Sequence, residues 1–530
     1  MGSTLRALRA LVLLAGFHLL GLLLLVVLGA IDWAATLWTP STVYLKLYVV
    51  SAVLAVPVVR GMFMLRTPKE DGEPGFRVPE SHEPRLWAAV RDVAAQLGTR
   101  APDEIVLTGA VDASVCEEPR LLGLRGGRRS LCIGLPLMTG LTEAQLRAVI
   151  AHEMGHYANA DTRLAVLTAR GRVQVLRTVA HFEERAGKKV AKERARQERR
   201  AARALAKGRR AKEVDTACAG VTYRAMARLY TAYARYYLRA TLAASRRQEL
   251  AADAAAARVA GRDATASALR EVPVLDSAHA YYMNAYATLG VGAGLLPPPG
   301  EVFGGVRHLL AARAAELAEL RGDLPTEPAS PYDSHPAIAE RVARVEALPD
   351  DGLGARPTRP SLHLLDAPDE THTALEHAVL TPDALRLRRV DWPQLVHESM
   401  TVYATEAAEP LRRATTEVTG VEATLPSVLE AIDRGALWQI ADRLPTSEGT
   451  GGATAGAARE FARPRVRQGL SRMVAAEYAA RGWAHWQLSW SEPAKLHLPE
   501  GYEKCLESAL DAAVSDPPDT APLRKLLPAY

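Results

Sequence analysis

The chain has 530 residues, 48% of them hydrophobic and 24% charged, with a formal net charge of +5. That length suits three or four domain-sized units, and the composition excludes a wholly disordered chain. The charge is local: residues 181–215 hold thirteen Lys and Arg against six Asp and Glu, a surplus larger than the whole chain's, so the rest is slightly acidic and is no general polyanion binder. The four cysteines, Cys116, Cys132, Cys218 and Cys505, are far apart and form no C-x-x-C pair. That spacing speaks against a disulfide framework or a thiolate zinc site and fits a reducing compartment.

From the amino terminus, Ala10 to Ile31 is apolar apart from His18 and small residues, and its 22 residues can cross a bilayer core of about 30 Å. Val43 to Leu65 is a second candidate span, with Lys46 and Arg60 towards its ends and Pro57 as a possible kink. Trp33, Trp38 and Tyr44 lie between the two, where interfacial aromatics sit. Arg6 and Arg9 precede the first span, and Arg60, Arg66 and Lys69 close the second, whereas DWAATLWTPST between them has no Lys or Arg. The positive-inside rule then places the amino terminus and everything after residue 66 in the cytoplasm. A cleaved signal peptide is the rival reading, but its apolar region would be unusually long and a second span would still follow.

Residues 71–84 read as a Gly- and Pro-bearing loop, 85–98 as an amphipathic helix and 104–110 as a strand. A further strand lies within 128–138 and leads into LTEAQLRAVIAHEMGHYANAD. An edge strand before such a helix can take up a substrate backbone as an extra strand; a core strand is the plainer reading.

That last stretch organises the chain. Thr142 with Gln145 forms a capping-box pattern, and Leu146, Val149, Ile150 and Met154 supply an apolar face. Within the helix, His152-Glu153-Met154-Gly155-His156 is H-E-x-x-H. Positions four apart share a face, so His152 and His156 can aim at one metal ion, with Glu153 beside them as a general base towards water. The chemistry indicated is zinc, one ion per chain.

Residues 181–215 read as a basic, mostly helical insertion, either a solvated face or a surface drawn to anionic lipid headgroups. No aromatics interleave with its cations, so nucleic acid is not an expected partner. Residues 216–260 read as one long helix or two in series, with Tyr223, Tyr230, Tyr233 and Tyr237 on a packing stripe.

Zinc held by two imidazoles needs a third protein ligand. The pattern H-E-x-x-H-x-x-G-x-x-H is excluded, because Asn159 and Thr162 stand at its last two positions. A Glu on a later helix is the other solution, and SRRQELAADAAAARVAG (245–261) offers Glu249, with Asp253 one turn on to hydrogen-bond a ligand histidine.

HEMGH, then E-L-A-A-D, then Ser334-His335-Pro336, behind two amino-terminal spans, resembles the membrane zinc metallopeptidases of the HtpX and type I CAAX prenyl protease family over roughly residues 5–350. The resemblance implies a gluzincin-type domain with Glu249 as third ligand and Glu153 as catalytic base. It also implies that His335 faces the active site and that Arg341 helps hold the substrate or the transition-state oxyanion. Two departures stand out: Asp112-Ala113 occupies the place where the family often has Asn-Ala, and the basic insertion with 216–244 stands where relatives carry further spans.

Past residue 350 the resemblance ends. A Pro-rich linker follows, PTSEGTGGATAGAA (445–458) is a flexible segment, and WAHWQLSW (483–490) alternates as a half-buried strand does. A small α+β accessory domain is expected, with Trp438, Trp483, Trp486 and Trp490 in its core.

The expected architecture is mainly α (α+β): a transmembrane hairpin at 1–66, a metallopeptidase domain with a small sheet at 67–350 carrying the insertion, and the accessory domain at 351–530. The expected function is a multi-pass zinc metalloendopeptidase of the cell (inner) membrane, its catalytic domain cytoplasmic, acting on protein or peptide substrates in membrane-protein quality control. Its lipid contacts are the two spans and the basic segment. The alternative is a membrane-bound scaffold or regulator with a silent or gated metal site.

Overall fold

The computed structural model describes residues 3–38, 40–63, 74–120, 125–158, 162–205, 207, 215–217, 219–327, 335–353, 359–445 and 455–527. Ser334, Cys218, the end of the basic segment at 208–214, and the linker stretches 354–358 and 446–454 lie outside them. The described architecture is mainly helical with small sheets.

Helices α1 (Ser3–Trp38) and α2 (Ser41–Phe63) cover the two apolar stretches. They pair side by side, and the Ser51 hydroxyl donates to Asp32 at 2.8 Å between them. Among the described residues one segment, His18–Trp38 of α1, is long and apolar enough to cross a membrane.

A four-stranded sheet follows: β1 (Gly75–Val78), β2 (Glu104–Thr108), β3 (Ala113–Arg120) and β4 (Arg125–Gly134), in the order β1-β2-β4-β3. β2 and β4 run parallel; the outer pairs are antiparallel. One sequence expectation changes here, and one open alternative is decided for the core strand. Residues 75–78, expected in a loop, form β1, because Gly75 lets the chain approach β2 closely: a Cβ there would lie 2.3 Å from the Leu107 carbonyl oxygen. The strand before the H-E-x-x-H helix, β4, is interior rather than an edge, since β3 covers its other side.

Alternation along β2 and β4 buries Ile105, Leu107, Leu131 and Ile133 against α3 (Pro84–Gln96) and α5 (Glu143–Ala158). A short helix, α4 (Leu135–Gly140), separates β4 from α5. The capping box forms as expected: Thr142 N–H donates to Gln145 Oε1 at 2.8 Å, and Gln145 N–H donates to Thr142 Oγ1 at 3.3 Å.

Two long helices, α6 (Thr162–Leu205) and α7 (Val221–Ala260), pack side by side. Phe182 of α6 and Tyr230 and Tyr237 of α7 are fully buried in a small core that also takes in Leu20 of α1. The tyrosine stripe is therefore packing surface. α8 (Arg262–Tyr282) turns back from α7 and lies against α5.

Leu364, Leu375, Val390 and Leu395, from beyond residue 350, pack into the core around α5. A second core gathers the carboxy-terminal helices, among them Leu425–Asp433, Ala455–Ala480 and Tyr502–Ala513. The expected tryptophan core does not form. Trp490 stacks on Tyr286 at 4.7 Å and meets Trp392 at 5.1 Å, against the first core, and Trp483 is exposed. Leu, Val, Ile and Ala, with Met473 and Tyr478, fill the second core, and Trp438 packs at its side.

Candidate active site

The site lies where α5 meets α7, and small residues let them meet. Gly155 faces α7 so closely that a Cβ would lie 3.2 Å from Ala255 Cβ and 3.4 Å from Ala252 Cα. Leu146, Ile150, Ala151 and Met154 anchor α5 in the core. His152 and His156 project towards α7, their rings 4.9 Å apart and at 88° to each other. Gly155→Val is expected to crowd both alanines at an overpacking cost of about 1–3 kcal/mol. Zinc affinity should then fall by about tenfold or more, read by competition with a chelator; wild-type affinity would show that the helix spacing is not set here.

Glu249, on α7, meets the imidazoles. Its Oε2 lies 3.5 Å from His152 Nε2, and its Oε1 lies 3.8 Å from His156 Nε2. Glu249 Oε2 is buried and has no hydrogen-bond partner among the described residues. These separations are too long for hydrogen bonds. They are close to the spacing of about 3.3 Å that two ligands of one tetrahedral zinc ion keep. One nitrogen from each histidine and one Glu249 oxygen all lie within 4.8 Å of one another. The donor set, two imidazoles and a carboxylate, thus fits a zinc ion and leaves a coordination position over.

Behind these donors sits a second layer. Asp253 Oδ1 lies 3.0 Å from His152 Nδ1. Arg341, on the helix Ile338–Glu346, donates from Nη2 to Asp253 Oδ1 at 2.7 Å and from Nε to Asp253 Oδ2 at 2.9 Å. It is only 7% exposed, and Nη2 comes to 3.5 Å from His152 Nδ1 and 4.0 Å from Glu249 Oε2. In the structure the Arg341 guanidinium pairs with Asp253 through Nε and Nη2. His335 is different, with an exposed side chain whose Nε2 lies 3.5 Å from Glu249 Oε2.

The charges are strongly coupled. Burial works against the His152 cation, but Asp253 and Glu249 outweigh it and raise its pKa to about 9. Burial and the neighbouring His152 charge hold His156 down at about 4. Burial pushes Glu153 up to about 7, with Asp112 and Glu249 adding to the effect and the His152 charge opposing it. Burial alone would raise Asp253, yet the bonds from Arg341 and His152 bring it to about 2.

The open side of the site is bounded by β3, which the sequence did not reveal. Tyr157, next to His156, donates its hydroxyl to the Val115 carbonyl at 2.7 Å, and Arg129 lies over its ring at 4.9 Å. This clamp ties the free edge of the sheet to the metal-ligand helix. The Cys116 thiol on the same strand is raised by burial and by the charges of Glu153 and Asp112.

Among known proteins, no curated protein and no solved structure matches the chain. The family model described as Peptidase family M48 matches residues 84–348, the span that holds β2, β3 and β4, both site helices, His335 and Arg341. With half of its length matched, the chain belongs to peptidase family M48, a family of metallopeptidases.

Proposed function

We propose that the protein is a membrane-anchored, zinc-dependent endopeptidase that cleaves membrane or misfolded proteins. The observation that carries the reading is the convergence of His152, His156 and Glu249 donor atoms from two helices, with a buried Glu249 oxygen that accepts no hydrogen bond among the described residues. Zinc bound there would supply a Lewis acid that activates water and polarises the scissile carbonyl.

The chain's own residues do the rest. Asp253 accepts from His152 Nδ1, which fixes the tautomer with Nε2 turned towards Glu249. Arg341 holds Asp253 in place and keeps it ionised. Glu153 takes the proton from the attacking water on a carboxylate oxygen and returns it to the leaving amine nitrogen. A carboxyl with a pKa near neutrality suits both halves of that transfer. His335, exposed at the rim, is placed to donate from Nε2 to the carbonyl oxygen as charge develops there. The free edge of β3 offers main-chain groups that can pair with an extended substrate.

Membrane anchoring rests on α1. Leu22, Leu23, Val26, Val27 and Ile31 are all exposed, an apolar surface unsuited to water but suited to lipid. With α2 returning the chain as a second span and cations flanking the pair on one side, the amino terminus and the catalytic domain share the cytoplasmic side. The test is casein hydrolysis by the full chain. Chelation should abolish it, at least about tenfold, and stoichiometric zinc should restore it. Hydrolysis that ignores the chelator would overturn the reading, and no hydrolysis by a zinc-loaded protein would favour a scaffold.

A further inference from the structure

A groove of about 860 Å³ runs between the outer part of α6 and the first half of α7, well away from the active site. Ala186, Ala191 and Ala227 are among the small side chains that line it. Arg194, Arg224, Arg228 and Arg235 also line it, against two carboxylates, Glu183 and Glu198. Arg224 is committed, donating to the Ala217 and Ala219 carbonyls. Arg194, Arg228 and Arg235 are exposed and enter no ion pair among the described residues.

The groove's position is set by α1. Leu20 packs into the core shared by α6 and α7, and Gly16 approaches Tyr233 so closely that a Cβ would lie 2.8 Å from its hydroxyl. Both contacts lie within the apolar stretch of α1 that begins at Ala10. The adjoining α6 surface carries Lys188, Lys189 and Lys192, all exposed, which hydrocarbon would not accept. The cation-rich part of the groove therefore lies outside the hydrocarbon, beside the span.

We propose that this groove binds an anionic phospholipid, its headgroup phosphate held by Arg228 and Arg235, two turns apart on α7, and an acyl chain laid along the alanine floor. Guanidinium groups match phosphate oxygens in charge and geometry. The volume falls within the range of small-molecule sites. Local positive charge, an apolar floor and contact with the span together favour a membrane lipid over a soluble anion. The inference rests on α1 lying in a bilayer; it does not depend on the peptidase chemistry.

The full chain, purified in a neutral detergent, is titrated with fluorescent phosphatidylglycerol and with phosphatidylcholine of the same chain length. A preference of about tenfold for the anionic lipid is expected. The double variant R228E/R235E should erase that preference. A232W, which fills the groove without changing its charge, should weaken binding of the anionic lipid to a similar degree. Should the charge reversal fail to fold, A232W decides alone. Zinc content and casein hydrolysis, read on the same samples, report the peptidase reading separately. Equal binding of the two lipids, or a preference that survives both variants, overturns the proposal. So does full competition by glycerol phosphate, which would mark a free-phosphate site, or by an acidic peptide, which would mark a protein-docking face.

Discussion

Replacing Glu153 by glutamine is expected to leave zinc bound and to lower peptide hydrolysis by about 10²–10⁴-fold. Glutamine keeps the size and a hydrogen-bonding oxygen but cannot take up a proton. Glu153 is not among the three donors that approach one another, so metal content should not change. Its environment raises its pKa to about 7, through burial first and the Asp112 and Glu249 charges second. A carboxyl group meant only to pair with a neighbouring cation would be driven the other way, as Asp253 is. The measurement is casein or peptide hydrolysis beside zinc content on the same preparation. Undiminished hydrolysis would remove Glu153 from the mechanism; loss of zinc would assign it a structural task instead.

Glu249→Ala should cost the metal itself. Two imidazoles on one helix remain, and zinc affinity is expected to fall by a factor on the order of 10² or more, with hydrolysis falling alongside. The pH dependence gives a second reading of the same contact. A zinc ligand must be unprotonated, whereas Asp253 and Glu249 hold a proton on His152 up to about pH 9. Raising the pH removes the competing proton, so wild-type zinc affinity should climb by about tenfold per pH unit between 7 and 9 and then level off. Removing Glu249 deletes one of the two carboxylates that sustain the proton, so levelling should begin at a lower pH. Chelator competition across that range checks both statements. Wild-type affinity in the variant, or a flat pH profile in the parent, would break the assignment.

The sequence by itself determined the local parts. The four-residue spacing of His152 and His156 places both on one face of a helix, and Thr142 with Gln145 starts that helix where the pattern says it should. The same holds for Glu249 and Asp253, one turn apart on α7. These features depend on hydrogen bonds and side-chain periodicity within a few residues, so a linear reading reaches them. Only the tertiary structure decided what depends on distant partners. β1 pairs across some thirty residues through a glycine that reads locally as a loop signal. β3 takes the sheet's edge because β4 pairs on both sides, and no local pattern encodes that order. Trp490 leaves the carboxy-terminal helices for Tyr286 and Trp392. Arg341 turns to Asp253, 88 residues away, because a buried guanidinium needs a carboxylate to offset its desolvation, and folding brings that one within reach.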